Sequence, residues 1–167
     1  MQKFTRESNG YTLTIEVDDT GLLAEIDKDI QEMVELKKKH AEYEKERIEA
    51  EENDDENYDD WRWEYDMSSV YGDPESDWCT PDEIIKNREE FKAIINRLAT
   101  GDGTELWNMA SLKKNGTFKK NAKPMIKEAI NGSYWEDSYG WNTLVMRLVP
   151  VTDTLARVEL DTIVLHY

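Results

Sequence analysis

The sequence is poor in the residues that build disulfide frameworks, metal sites and membrane spans. Its 167 residues include one cysteine, Cys79, and two histidines, His40 and His166. One thiol cannot form an internal disulfide, and neither histidine has a cysteine or a second histidine at a metal-site spacing. No apolar run approaches the roughly 18 residues of a membrane span, and the N-terminal MQKFTRESNG lacks the apolar core of a signal peptide. These absences predict a cytoplasmic protein without disulfide, metal, cofactor or membrane anchor.

Recognisable motifs of catalysis are also missing. Residues 113–117 (KKNGT) lack the preceding strand and the glycine spacing of a phosphate-binding loop. Cys79 has no histidine near it in sequence that could act as its base. Carboxylates are numerous enough to supply an acid and a base, but their abundance makes them a poor indicator of catalysis. We therefore expect a protein that is not an enzyme, with a carboxylate-based enzyme as an alternative.

Negative charge is present in excess, and it is concentrated in one part of the chain. The net charge is -16, from 37 acidic and 21 basic residues. Residues 42–83 contain 18 of the acidic and 3 of the basic residues, so this quarter carries -15 and the remainder -1. A block of lysines uninterrupted by acids follows at Lys113, Lys114, Lys119, Lys120, Lys123 and Lys127. Because the whole chain repels a polyanion at long range, we expect these lysines to solvate the surface and not to bind nucleic acid directly.

The two ends of the chain have the alternating pattern of β-hairpins. Apolar and polar residues alternate after an Asn9-Gly10 turn, which is typical of a two-residue hairpin. Near the C-terminus, residues 144–151 and 155–166 flank a short turn, and charge pairing places Arg147 opposite Glu159. We expect the two hairpins to share one antiparallel sheet.

The middle of the chain has helical periodicity. Apolar residues recur every three or four positions from Leu22 to Leu36, and strong helix formers should carry this helix past the body into an exposed, acidic end. Thr80-Pro81 has the features of a helix start, and Gly101 those of a stop. Two short helices are expected at residues 104–114 and 124–130. The chain is thus predicted to be a single α+β domain, residues 1–167, with helices packed on the antiparallel sheet.

The most unusual stretch is an acidic, aromatic-rich insertion at residues 51–79. Its charge alone predicts disorder, but tryptophan and tyrosine recur within it, which is unusual for an inert linker. Spaced acids can occupy the positions where a basic groove binds phosphates, and rigid aromatic side chains serve as interface anchors. The residues predicted to contact a partner are Asp54, Asp55, Glu56, Asp59, Asp60, Glu64 and Asp66 as phosphate surrogates, with Trp61, Trp63 and Tyr65 as anchors.

These features predict a stoichiometric inhibitor that binds a basic protein, such as a nuclease or another nucleic-acid-binding protein, by mimicking nucleic acid. In size, acidity and lack of motifs the chain resembles, as a class only, phage and mobile-element inhibitors of bacterial defence such as anti-CRISPR and anti-restriction proteins. An immunity or antitoxin protein that neutralises a basic toxin fits the same electrostatics. The remaining alternatives are a component of a virion or other assembly, and a homodimer sealed by the tryptophans.

Overall fold

The computed structural model describes residues 1–54, 80–121, 125–128 and 140–166, so the predicted insertion falls almost wholly outside the described residues. Helices and strands both occur, as expected for an α+β protein. In chain order they are β1 (Gln2–Ser8), β2 (Tyr11–Val17), α1 (Asp19–Glu52), α2 (Pro81–Thr100), α3 (Thr104–Met109), β3 (Met125–Glu128), β4 (Gly140–Pro150) and β5 (Leu155–His166). None of the helices in this part of the chain is both long and apolar enough to cross a membrane.

The strands form one mixed sheet in the order β1-β2-β5-β4-β3. The N-terminal and C-terminal hairpins do share this sheet, but they meet through a parallel pairing of β2 with β5, in which Glu16 lies opposite Arg157. The predicted antiparallel sheet is therefore wrong at this junction. Alternation of apolar and polar residues decides which face a side chain joins, and it does so equally for parallel and antiparallel neighbours.

Each hairpin has the register that its own sequence indicates. Asn9 and Gly10 both have positive φ angles, 49° and 86°, which is the geometry of the two-residue turn that matches strand twist. In the C-terminal hairpin Arg147 lies opposite Glu159, which is the predicted register, although its ion pair is with Asp161, at 3.6 Å from Nε to Oδ2. Local pattern is sufficient here because turn and strand lie next to each other in the chain.

The long helices begin as expected, whereas the short segments differ. The side chain of Asp18 caps α1, and the Thr80 hydroxyl accepts a hydrogen bond from the Glu83 amide at the start of α2. The helix expected at residues 104–114 ends early, at Met109. The helix expected at residues 124–130 is wrong, since the described residues there form β3, antiparallel to β4. Pairing with β4 outweighs the weak helix propensity of so short a segment.

The main core lies between one face of the sheet and the helices. Ile15 and Val17 of β2 are fully buried against side chains such as Ile26 of α1 and Phe91 of α2. Beyond them α1 and α2 continue as a pair around Met33, Leu36 and Ile84, which form a smaller cluster. Ion pairs join the two helices on either side of this apolar contact: Asp27 with Lys92, Asp29 with the buried Arg88, and Lys37 with Asp82.

Candidate partner-binding surface

Helix α1 continues well past the helix that supports it. Lys37 is paired with Asp82 in the first turn of α2, with 2.6 Å between Nζ and Oδ1, and Leu36 is the last buried residue of α1. Residues 38–52 therefore extend beyond the start of α2, by about 22 Å at roughly 1.5 Å per residue. We call residues 41–54, at the far end of this projection, the acidic extension. Its existence confirms the sequence-based expectation of a helix with an exposed, acidic end.

On the inner side of the acidic extension, the one arginine is held by two carboxylates. Arg47 donates hydrogen bonds from its guanidinium nitrogens to Glu44, one turn before it, and to Glu51, one turn after it, each at 2.9 Å. The hydrogen bond from Arg47 holds the pKa of Glu44 below its ordinary value, and the same bond raises the pKa of Arg47. The positive charge of Arg47 is thus neutralised within the helix, where it supports the helix rather than offsetting the other acids.

The outer side carries glutamates that have no such partner. Glu42, Glu46 and Glu49 follow each other at one-turn spacing and are exposed, and no ion pair involves them within the described ranges. Residues 42–52 hold six acidic and two basic side chains, a net charge of -4, over about 15 Å of helix. One net charge per about 4 Å is close to the spacing of about 3.4 Å per phosphate along one strand of DNA. These charges lie on both sides of the helix; the outer side itself carries the three glutamates and the exposed Lys45, which lies one turn from Glu42 and from Glu49.

An exposed apolar side chain also lies on the acidic extension, on the side of Glu44 and Glu51 and not on the outer side. Ile48 lies on the acidic extension with 47% of its surface exposed, one of few large apolar residues exposed in the part of the chain that the structure describes. An exposed isoleucine among carboxylates could contribute desolvated contact area to an interface whose approach is guided by charge.

The residues predicted from sequence to contact a partner are only partly placed. Asp54 is exposed directly after the end of α1, and its amide donates to the Glu51 carbonyl at 3.3 Å. Its φ of 48° lies in the left-handed region, outside the right-handed helical backbone of α1. The other predicted residues lie outside the described residues: Asp55, Glu56, Asp59, Asp60, Trp61, Trp63, Glu64, Tyr65 and Asp66.

Glu42, Glu46 and Glu49 were missed when the sequence was analysed. The densest acidic run lies further along the chain, and for these three residues the sequence predicted only the exposed, acidic end of a helix. Their spacing of four and three residues already placed them on one helical face, so the signal was available in the sequence. The sequence did not show at which residue of α1 the contact with α2 ends.

Comparison with known proteins finds no relative of this chain. No protein-family model matches the chain, and no curated protein or solved structure matches it either. Across residues 1–54, 80–121, 125–128 and 140–166, no three cysteine, histidine or acidic side chains are grouped as metal ligands.

Proposed function

We propose that this protein binds a basic protein partner through the acidic extension and the acidic and aromatic residues that follow it in sequence, up to Asp66. It acts as a stoichiometric inhibitor that occupies the partner's nucleic-acid-binding surface. One observation carries the proposal: Glu42, Glu46 and Glu49 form an exposed row on a helix that projects from the body, while Arg47 is neutralised on the other side.

A helical backbone makes this row a better phosphate surrogate than an unstructured acidic tail. Glutamates on a formed helix hold their relative positions before the partner arrives, so little ordering entropy is lost on binding. A row of like charges also attracts a positive groove at a distance and speeds encounter. Both effects favour a partner whose lysines and arginines are arranged to bind a nucleic acid strand.

The first experiment identifies the partner and tests the row of glutamates. The full chain serves as bait, and association with the captured protein is followed by surface plasmon resonance. The test variant combines Glu42→Gln, Glu46→Gln and Glu49→Gln. The control variant combines Glu25→Gln, Glu32→Gln and Glu90→Gln, three exposed acids of the body, so both variants lose the same charge. The test variant should associate at least about tenfold more slowly, and the control should stay within about threefold of the unmodified protein.

Competition decides whether the protein mimics nucleic acid. Saturating the partner with this protein should displace its bound nucleic acid, and the test variant should do so only at higher concentration. Raising the salt from about 50 to 500 mM contracts the Debye length from about 14 to 4 Å and should slow association steeply. Simultaneous binding of nucleic acid and this protein would refute mimicry. A captured basic toxin that acts without nucleic acid would instead indicate an immunity protein.

A further inference from the structure

A lysine-rich loop, residues 111–121, packs against the first hairpin and is locally well braced. Its two arms are joined by backbone hydrogen bonds from Lys113 to Thr117 and from Lys119 to Ser111, at 2.7 and 3.0 Å. The Asn115 side chain accepts from both the amide and the hydroxyl of Thr117, at 3.0 and 2.8 Å. We call residues 111–121 the lysine loop.

The turn of the lysine loop is seated on the tip of the first hairpin. The Ser8 hydroxyl donates to the Gly116 carbonyl at 2.9 Å, and Gly116 has a φ of 90°. At the base of the loop, the buried Phe118 ring stacks on Trp107, with 6.4 Å between centroids and 5° between planes. The loop is therefore anchored both at its turn and at its base, and its lysines project from a well-anchored backbone.

The positive charge of the lysine loop is only weakly balanced. Lys113, Lys114, Lys119 and Lys120 are all exposed. Asp153 is the one acid paired with any of them in the described part of the chain, and it lies 3.7 Å from Lys113 Nζ and 3.5 Å from Lys120 Nζ. Lys114 and Lys119 have no acidic partner among the described residues. Four amines and one carboxylate leave a local charge of +3 on a chain whose net charge is -16.

An exposed aromatic ring lies on the same side of the sheet. Tyr11 is 42% exposed and is the strand partner of Ser8. Directly opposed residues of an antiparallel pair point to the same face, so Tyr11 is on the face that carries the Ser8 contact with Gly116. The tyrosine and the lysine loop are thus neighbours at one end of the sheet.

We propose that the lysine loop and Tyr11 form a binding site for single-stranded nucleic acid. The lysine amines contact successive phosphates, and the Tyr11 ring stacks on a base, the combination that sequence-independent single-strand binding requires. Lysines without an aromatic neighbour would suit any polyanion, whereas an exposed ring beside them favours a ligand with flat bases. The site uses no residue of the acidic extension, so it is independent of the proposed inhibitory function.

This proposal departs from the expectation that the net charge excludes direct contact with nucleic acid. That expectation used the net charge of the whole chain, whereas residues 42–83 alone carry -15 of the -16. At physiological salt, exposed charges separated by more than about 8 Å are largely screened. A phosphate in direct contact with the lysine loop lies within this distance of its amines, whose local charge with Asp153 is +3.

The test measures anisotropy of a labelled oligothymidylate of about twelve nucleotides, with the full chain at moderate salt. The lysine variant combines Lys114→Gln and Lys119→Gln. Its control combines Lys28→Gln and Lys86→Gln, two exposed lysines of the helices. The lysine variant should bind at least about tenfold more weakly and show a salt dependence that is shallower by about 1.4 in the slope of log K against log salt, while the control should change little.

A second pair of variants tests stacking. Tyr11→Leu should weaken binding by about fivefold or more, and Tyr11→Phe should retain it, because phenylalanine keeps the ring. Circular dichroism and thermal unfolding of every variant check that the fold is kept. Absence of binding, an equal loss in the lysine control, or unchanged affinity of Tyr11→Leu would each overturn the proposal. So would preferential binding of polyglutamate, which would identify an acidic protein as the ligand.

Discussion

Arg157 donates a hydrogen bond from Nε to Oε2 of Glu16 across 2.8 Å, although the two residues are 141 positions apart in the chain. They lie opposite each other at the parallel junction of β2 and β5, on the sheet face away from the helices. Glu16 is only 8% exposed, and its other carboxylate oxygen lies 3.9 Å from Lys3 Nζ. The hydrogen bond with Glu16 raises the pKa of Arg157. The hydrogen bond to this nearly buried carboxylate thus forms only when the two ends of the chain meet.

Replacing Glu16 by alanine should weaken this junction. Arg157 would keep access to water, since 47% of its side chain is exposed, so we expect a loss of about 1 to 2 kcal/mol in the free energy of unfolding. Urea denaturation measures it. Glu90→Ala, an exposed acid of α2, serves as control and should change stability by less than about 0.5 kcal/mol. Equal effects of the two substitutions would show that the ion pair does not stabilise the junction.

Replacing an isoleucine by alanine in the core and on the acidic extension tests whether the acidic extension is part of the core. Ile15→Ala empties a fully buried position of β2 and should cost about 2 to 5 kcal/mol. Ile48→Ala removes a side chain that is 47% exposed and should change stability by less than about 0.5 kcal/mol. Thermal unfolding measures both. If Ile48→Ala were as damaging as Ile15→Ala, the acidic extension would be part of the core and not a projection.

Two glycines with similar positive φ angles allow the cost of backbone strain to be separated from the cost of a steric clash. Gly10 has a φ of 86° with nothing within 4 Å of an added Cβ, whereas at Gly116, with a φ of 90°, that atom would lie 2.6 Å from Ser8 Oγ. Gly10→Ala should cost about 1 kcal/mol for the left-handed backbone alone. Gly116→Ala should cost more, and it should also weaken oligothymidylate binding by displacing the lysine loop. Comparable stability of the two variants would mean that the loop moves freely away from Ser8.

The acidic extension should respond to acid through Glu44. The hydrogen bond with Arg47 lowers the pKa of Glu44 in the folded helix, so this bond stabilises the helix above the unfolded pKa of Glu44 and is lost as pH falls through the lower, folded value. NMR titration of the Glu44 carboxyl measures this pKa. Arg47→Gln removes the hydrogen bond and should move the Glu44 titration to higher pH. An unchanged Glu44 titration in the Arg47→Gln variant would contradict the hydrogen bond.

The sheet and the helices packed on it should fold without residues 41–79. Replacing residues 41–79 by a flexible linker of about six residues joins helix ends that the Lys37–Asp82 pair already holds together, and it leaves the Thr80 cap and the buried residues of both helices intact. We expect one cooperative unfolding transition and a retained near-ultraviolet circular dichroism spectrum. This variant should lose the basic partner and keep the oligothymidylate. A molten chain would show that the removed residues belong to the core.

Much of the local structure could be predicted because its causes are adjacent in sequence. The Asn9-Gly10 turn, the cap at Thr80 and the pairing of Arg147 with Glu159 each depend on residues within one hairpin or one helical turn. Helix propensity likewise carries α1 into the exposed end that the sequence indicates. The outward row of glutamates needed one more fact, namely which residue of α1 lies beside the start of α2, and that depends on packing around Met33 and Ile84.

The sequence by itself determined the two hairpins, the long helices and their caps, and the concentration of charge, since each follows from nearest-neighbour chemistry. Only the tertiary structure decided that β5 runs parallel to β2 and that residues 125–128 join the sheet. Side-chain alternation places the same residues on the buried face for either strand direction, so the sequence pattern is equally satisfied by both. The direction of β5 relative to β2 depends on how the helices cover the sheet and on contacts such as that of Glu16 with Arg157. Such contacts exist only in the folded protein, where the two ends of the chain lie side by side.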